Sequence, residues 1–198
     1  MMNTTNTLSN LKKKNPLNLN KTLLVLDIDE TLIHSSKNSL GIEHDFKIGN
    51  FYYVYTRPGL KEFISFALDN FNVAVWSSAS FNYVEAMVNE IFPNPDKLKF
   101  YWASNRCTMR YSFEHQEWYD IKDLKKVGRI GYNKERILIV DDTPAKSERN
   151  YGNAIHMQPF TGDQNDRYLY MLVEYLKTIK DIKNVREIDK RVWWKEYQ

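Results

Sequence analysis

The sequence has a single cysteine, a small charge imbalance and no long apolar run. Cys107 cannot form a disulfide within the chain, which favours a reducing compartment. The net charge of +3 is too small to indicate nucleic-acid binding. No stretch reaches the length of a membrane span, and the polar N-terminus lacks the apolar centre of a secretory signal. We therefore expect a soluble, intracellular protein of the cytoplasm or nucleus, with no membrane partner.

The composition is that of an ordinary globular chain. Hydrophobic residues make up 42% and charged residues 27% of the 198 positions, enough for one domain with a sizeable core. Residues 1–20 are rich in Asn, Thr and Lys and are predicted to be a disordered tail. We assign residues 21–184 to the domain. We expect residues 185–198, which include Trp193 and Trp194, to dock on it, because exposed tandem tryptophans are unfavourable.

Apolar strands alternate with amphipathic helices along the chain. This alternation predicts an α/β fold with a mainly parallel sheet. The expected strands are 22–29, 51–56, 72–78, 99–104, 136–140 and 153–157, and the expected helices are 60–71, 81–92 and 166–182. Residues 33–50 are interpreted as a loop and 105–134 as a mixed polar segment. Together, 33–56 are expected to form a flap over the end of the first strand.

Polar side chains follow three of the apolar strands, at the point where each strand ends. Asp27 and Asp29 follow the first, Ser77 follows another, and Asp141 and Asp142 follow a later one. Right-handed crossovers bring the C-terminal ends of parallel strands to one edge, where we expect these side chains to converge. Each pattern alone is also compatible with ordinary turn capping. The coincidence at three strand ends favours a shared site.

Several carboxylates without a nearby His or Cys make a hard oxygen site of the kind that magnesium prefers. A carboxylate beside the metal stays ionised and can attack phosphorus. A second carboxylate two residues further along can carry the proton. A hydroxyl and a lysine suit the charge of a phosphoryl group. The pattern therefore indicates phosphoryl chemistry.

The motifs also resemble those of a known family. Residues 27–31, DIDET, resemble the DxDxT signature of the haloacid-dehalogenase superfamily. Further segments are similar to the RNA polymerase II C-terminal-domain phosphatases, the FCP/SCP-like or NLI-interacting-factor-like domain. These are residues 34–36, 57–60 with Phe63 (RPG…F), 75–79 with Tyr83 (FTAS…Y, with Ser for Thr), 119–124 (YVKDL), 139–144 (LDDTP) and 153–155 (NAI). The resemblance spans roughly residues 20–182 and implies a Rossmann-like fold, capless with a short flap.

The resemblance implies separate roles for the aspartates. Asp27 would be the nucleophile that becomes an aspartyl-phosphate, and Asp29 the general acid and then the base. Magnesium would lie between the Asp27 carboxylate, the Asp29 main-chain carbonyl and Asp142. Asp141 would lie close behind and orient Lys122.

The remaining candidates surround the phosphoryl group. Ser77 and Lys122 would hold its oxygens, and Thr31 would fix the turn after the nucleophile. Arg106 lies near the position of a substrate-facing arginine of the family. Cys107 is interpreted as structural, because no activating partner is evident.

The leading hypothesis is a magnesium-dependent protein phosphoserine or phosphothreonine phosphatase, acting as a monomer on a phosphorylated protein or peptide. The chain between Ser77 and Lys122 leaves no room for a large cap, and an open site favours a bulky substrate. One alternative keeps the chemistry and changes the substrate to a nucleic-acid 3′-phosphate or a small phosphoester. The other is a catalytically silent binding module of the same fold.

Overall fold

A five-stranded parallel sheet organises residues 21–197, the part of the chain that this computed structural model describes. The tail predicted over residues 1–20 lies outside the described residues. The strands in chain order are β1 (Leu23–Leu26), β2 (Ile33–Ser36), β3 (Phe46–Ile48), β4 (Tyr52–Thr56), β5 (Asn72–Trp76), β6 (Tyr101–Trp102), β7 (Thr108–Ser112), β8 (Glu117–Ile121), β9 (Ile137–Asp141) and β10 (Ala154–His156). The helices are α1 (Leu60–Asn70), α2 (Phe81–Ile91), α3 (Lys125–Gly128) and α4 (Tyr168–Ile179). The α/β fold class with a mainly parallel sheet is confirmed.

Strand β1 occupies the centre of the sheet, whose order is β10-β9-β1-β5-β6. Its four residues, Leu-Leu-Val-Leu, are all fully buried, as expected for a strand covered on both faces. The chain proceeds from β1 to β5 and β6 on one side and returns to β9 and β10 on the other. The topological switch point, where open α/β sheets bind ligands, therefore lies beside the C-terminal end of β1.

The two faces of the sheet are covered unequally. Leu24, Val73 and Leu138 belong to a large core with the buried residues of α1, α2 and α4. Their neighbours on the opposite face, such as Val25 and Ile139, belong to a smaller core closed by α3 and aromatic side chains. This alternation follows the period of two in a strand. It places the three long helices on one side of the sheet.

The expectation of a loop over residues 33–50 is wrong in part, because β2 and β3 lie in it. They flank β4 in a three-stranded antiparallel sheet, ordered β2-β4-β3, which forms the predicted flap. Both strands are short and carry polar residues, so their sequences have no clear period. Long-range contacts fix them instead: the Asp45 carboxylate accepts hydrogen bonds from the Thr56 amide and hydroxyl, at 2.7 and 2.9 Å.

The segment over residues 105–134 contains a β-hairpin that the sequence pattern does not reveal. Strands β7 and β8 pair from Thr108 with Ile121 to Ser112 with Glu117. Apolar side chains on this hairpin remain exposed, including Met109 and Trp118, which blurs the inside–outside alternation of an amphipathic strand. The hairpin ends directly before Lys122. It thereby connects an exposed surface to the edge where the predicted site lies.

The C-terminal segment packs on α4 through Trp193. This side chain is buried and stacks on Tyr175 with ring centroids 5.4 Å apart, and its Nε1 donates a 2.9 Å hydrogen bond to the His156 carbonyl. Among the described residues, no helix has both the length and the apolar character needed to cross a bilayer.

Candidate active site

The strand register brings the predicted aspartates to one edge of the sheet. Leu26 pairs with Val140, so Asp27 and Asp141 continue neighbouring strands side by side, and the Asp27 amide donates to the Val140 carbonyl at 3.0 Å. Leu26 also pairs with Val75 on the other flank, which brings the end of β5 alongside. The parallel pairing of these strands thus assembles the site from distant parts of the chain.

Lys122 is the central cation of this cluster. Its ammonium lies 2.7 Å from Asp27 Oδ1 and 2.7 Å from Asp141 Oδ2, and the three side chains are almost completely buried. Burial favours the neutral amine, but the two carboxylates outweigh it and hold the pKa of Lys122 above its ordinary value. Burial raises the pKa of Asp141, and the Lys122 ammonium opposes that rise. Lys122 is therefore a protonated bridge between the two aspartates.

Two carboxylate oxygens in the cluster are buried without a hydrogen bond, namely Asp27 Oδ2 and Asp142 Oδ1. One oxygen from each of Asp27, Asp141 and Asp142 lies within 4.8 Å of the others. Both oxygens of Asp141 are already occupied, by Lys122 and by the Thr143 amide. Burial, and next the Asp27 charge, raises the pKa of Asp142. The unsatisfied oxygens therefore fit a hard divalent cation held by Asp27 and Asp142, with Asp141 serving Lys122.

Asp29 faces a different set of partners. Its Oδ1 accepts hydrogen bonds from the Tyr83 hydroxyl, on α2, and from Ser35 Oγ at 3.2 Å, on β2. Burial raises the pKa of Asp29, the hydrogen bond from Tyr83 lowers it, and the nearby Asp27 raises it further. A carboxyl group whose pKa is raised holds a proton more readily than a free carboxyl group does. Asp29 thus lies in a different environment from Asp27, whose oxygens face the ammonium groups of two lysines.

The turn between β1 and β2 is fixed by Thr31 and Arg57. Thr31 Oγ1 accepts a 3.1 Å hydrogen bond from the Asp142 amide. This bond joins the loop after β1 to the loop after β9. The buried Arg57 guanidinium donates to the Thr31 carbonyl at 3.0 Å and binds both oxygens of Asp166 at 2.8 Å. Glu30 adopts a left-handed backbone conformation with φ 56°. Such strain persists where the surrounding structure over-determines the turn.

Ser77 and Arg106 occupy different positions relative to the aspartates. Ser77 is buried, and its Oγ accepts a 3.0 Å hydrogen bond from the Ala79 amide. Arg106 is exposed and lies over the Trp102 ring, 5.3 Å from its centroid, and no contact described joins it to the carboxylates. Burial raises the pKa of Cys107 to about 11, which makes its thiol unreactive at neutral pH.

Tyr83, Ser35 and Lys146 also lie at this edge of the sheet, although the sequence alone assigns them no role. Tyr83 and Ser35 lie within segments that match family motifs, and their positions in those motifs were the available signal. Lys146 follows the Asp141–Asp142 pair in a 3₁₀ segment (Pro144–Asn150), and its Nζ lies 3.7 Å from Asp27 Oδ2. Nothing in the sequence pattern separates Lys146 from an ordinary surface lysine.

Comparison with protein families gives a match over most of the chain. Residues 22–186 match the family model described as NLI interacting factor-like phosphatase. The chain is 28% identical over 172 residues to the CTD small phosphatase-like protein 2 of Dictyostelium discoideum, covering 84% of this chain and 29% of that protein. It is 27% identical over 189 residues to the ubiquitin-like domain-containing CTD phosphatase 1 of Xenopus tropicalis, covering 90% and 56%. The chain thus spans little more than half, or less, of these relatives.

Solved structures show the same fold at low sequence identity. The fission yeast RNA polymerase II CTD phosphatase Fcp1, in an R271A variant bound to beryllium fluoride, aligns with a TM-score of 0.56 at 15% identity, covering 85% of this chain and 53% of that one. An uncharacterized protein from Listeria monocytogenes serotype 4b aligns with a TM-score of 0.56 at 18% identity, covering 81% and 99%. These similarities concern the fold of the domain.

Proposed function

The chain belongs to the family of NLI interacting factor-like phosphatases, and from that premise we propose that it is a magnesium-dependent phosphoric monoester hydrolase. The observation that carries the proposal is the pair of buried oxygens on Asp27 and Asp142 that accept no hydrogen bond, beside the buried Lys122. A buried carboxylate oxygen without a hydrogen bond is costly, and a bound cation would relieve that cost. The site is therefore built to hold positive charge against the nucleophile.

In the proposed first step, an Asp27 carboxylate oxygen attacks phosphorus and the bond from phosphorus to the ester oxygen breaks. The leaving oxygen takes the proton of Asp29, which Tyr83 and Ser35 hold in place. Lys122 and the Ser77 hydroxyl meet the charge on the phosphoryl oxygens. Asp27, the Asp29 carbonyl and Asp142 would hold magnesium, which would supply charge neutralisation for the same oxygens.

In the second step, Asp29 acts as the base. Its carboxylate takes a proton from water, the water oxygen attacks phosphorus, and the bond between Asp27 and phosphorus breaks to release phosphate. Each atom and proton is accounted for, and Asp27 returns as a carboxylate and Asp29 as a carboxylic acid. The raised pKa of Asp29 suits a group that must both give and take a proton during the reaction.

We infer that the substrate is phosphoserine or phosphothreonine in a protein. The chain between Ser77 and Lys122 forms α2, β6 and the β7–β8 hairpin, and residues 21–197 contain no separate cap domain. A site bordered by a small flap and a hairpin admits a phosphate carried on a large molecule. Two of the relatives are named as CTD phosphatases, which supports the same class of substrate.

The first experiment measures hydrolysis of p-nitrophenyl phosphate with magnesium by the wild type, by Asp27→Asn and by a control, Asp181→Asn. Asp181 is exposed, so its variant should retain full activity. We expect Asp27→Asn to lose at least about a thousandfold, because it removes the nucleophile. Undiminished turnover in that variant would contradict the proposed mechanism.

A second experiment separates the substrate classes. Phosphoserine and phosphothreonine peptides are compared with 3′-phosphorylated oligonucleotides at equal concentration, through kcat/KM. A clear preference for the oligonucleotides would replace the protein substrate with nucleic acid. No magnesium-dependent turnover of any of them, together with a stable partner in pull-downs, would identify a binding module.

A further inference from the structure

Lys146 is held rigidly at the candidate site by its backbone. Its amide donates to the Thr143 carbonyl at 3.1 Å, and its carbonyl accepts a 2.8 Å hydrogen bond from the Lys122 amide. The backbones of the two lysines are thus joined directly, although they come from different parts of the chain. Their side chains approach opposite oxygens of one carboxylate, Lys122 at Oδ1 and Lys146 at Oδ2 of Asp27. Lys146 is therefore placed by the fold and not by a flexible loop.

The two ammonium groups differ in their burial and in the number of contacts that they make with the protein. Lys122 is completely buried and makes two contacts of 2.7 Å. Lys146 is 24% exposed, and its 3.7 Å separation from Asp27 is too long for a hydrogen bond. Within residues 21–197, its Nζ makes no hydrogen bond, so its three N–H donors remain available on the open side of the site.

The charges around the site support a role for the Lys146 ammonium in binding an anion. The charge of Lys146 acts on Asp29, Asp141 and Asp142 as well as on Asp27. The three negative charges of Asp27, Asp141 and Asp142 are just balanced by Lys122 and one divalent cation, which leaves no net positive charge to attract a phosphate monoester with two negative charges. Lys146 is partly exposed and adds a positive charge beside Asp27, where the phosphoryl group must arrive.

We propose that Lys146 is a second phosphate-binding lysine, which donates hydrogen bonds to a phosphoryl oxygen of the substrate from the side of Asp27 opposite to Lys122. This inference rests on the proposed function and adds a specific contact to it. Lys122 has two of its three donors on Asp27 and Asp141, so it orients the nucleophile and keeps one donor for a phosphoryl oxygen. Lys146 has all three donors available for the incoming group.

The test measures binding of inorganic phosphate, so that it does not depend on turnover. Isothermal titration at saturating magnesium compares the wild type with Lys146→Met, Lys146→Arg and the control Lys125→Met. Lys125 is exposed on α3, and its side chain makes no contact with the aspartates. Urea unfolding of each variant confirms that the fold is retained. We expect Lys146→Met to weaken phosphate binding about tenfold or more, because it removes a charge-assisted hydrogen bond. Lys146→Arg should lose at most about threefold, and Lys125→Met should bind as the wild type does.

A lysine that merely balances the charge of Asp27 gives a different result. Lys146→Met would then bind phosphate normally at saturating magnesium and would bind magnesium more tightly. That outcome overturns the inference, as does a wild type that binds no phosphate. Phosphate binding that depends on Lys146 without hydrolysis of any ester would overturn the proposed function and leave this inference standing. If esters are hydrolysed but Lys146→Met changes neither the KM nor the phosphate affinity, the proposed function stands and this inference is overturned.

Discussion

The Lys122 ammonium and the Asp141 carboxylate form a completely buried ion pair, 2.7 Å apart, beside Asp27. A buried pair contributes little net stability, but removal of one partner leaves the other charged and unsolvated. Here the same lysine also contacts Asp27, so its loss exposes two carboxylates to each other. The pair therefore couples the stability of the fold to the charge state of the site.

We expect Lys122→Met to lower the free energy of unfolding by about 3–5 kcal/mol, since it leaves two buried carboxylates without their cation. Urea unfolding at neutral pH without magnesium measures the change. Adding Asp141→Asn to Lys122→Met should recover part of the loss, because one of the two charges is then gone. The exposed control Lys125→Met should change stability by less than about 0.5 kcal/mol. A loss below about 1 kcal/mol in Lys122→Met would contradict the ion-pair interpretation.

Magnesium should stabilise the folded protein through Asp142. A ligand that binds only the native state adds about 2.7 kcal/mol at a hundred times its dissociation constant, so the melting temperature should rise with magnesium concentration. Asp142→Asn should lose most of this rise, because it replaces a buried, unpaired carboxylate oxygen. The control is Asp181→Asn, which also removes one negative charge but at an exposed position. An equal magnesium-dependent rise in the Asp142 variant would exclude Asp142 as a ligand.

Tyr83 should set the pH at which Asp29 loses its proton. Its hydroxyl donates to the carboxylate, which favours the ionised form and lowers a pKa that burial raises. Tyr83→Phe removes this donor, so the pKa of Asp29 should rise further and the alkaline limb of kcat/KM should move to higher pH. Tyr101→Phe, whose hydroxyl donates to Glu85 at the surface, is the matched control. A limb that stays in place or moves to lower pH would show that Tyr83 does not act through Asp29.

Gly59 should be more sensitive to substitution than Gly131. It has φ 83°, and a Cβ there would lie 2.8 Å from the ring of Tyr170. Gly131 has φ 100° but open space around it, so Gly131→Ala carries the backbone strain alone, about 1–2 kcal/mol. Gly59→Ala should cost roughly 1–3 kcal/mol more, the usual effect of overpacking. Equal losses in the two variants, measured by urea unfolding, would show that the Tyr170 ring moves aside freely.

Lys190 should make stability depend on alkaline pH. Burial lowers its pKa to about 8, while an unfolded lysine titrates near 10.4. Between these values the unfolded chain binds more protons than the folded one, so the free energy of unfolding should rise with pH. This contribution is complete above the unfolded pKa and is lost as pH falls through the folded one. Lys190→Met should remove the rise between pH 8 and pH 10, whereas Lys183→Met, at an exposed position, should keep it.

The strongest sequence patterns predicted the sheet and the convergence of its strand ends. Continuous apolar runs such as the one before Asp27 have few alternatives, and parallel crossovers bring their ends to one edge. The flap strands β2 and β3 were not predicted, because their pairing with β4 determines them more than their own composition does. The placement of Asp27, Asp141 and Asp142 in one cluster followed from topology alone.

The fine geometry of the site could not be predicted in the same way. That Asp141 has both oxygens occupied, while Asp142 has one unpaired, depends on the turn at Thr143. The approach of Lys146 to Asp27 depends on a 3₁₀ segment whose sequence has no strong period. Such contacts arise from turn chemistry and long-range packing, which single-sequence patterns encode weakly.

The central position of β1 also has a consequence for how the protein acquires activity. Thr31 and the Asp142 amide that it binds are 111 positions apart, so the site closes only after the late strand β9 has paired with the early one. Contacts of such long range form slowly, because the chain loses the entropy of loop closure before the contacts stabilise it. A nascent or truncated chain that ends before β9 contains Asp27 but lacks Asp141 and Asp142. Recovery of enzymatic turnover during refolding should therefore report completion of the whole sheet.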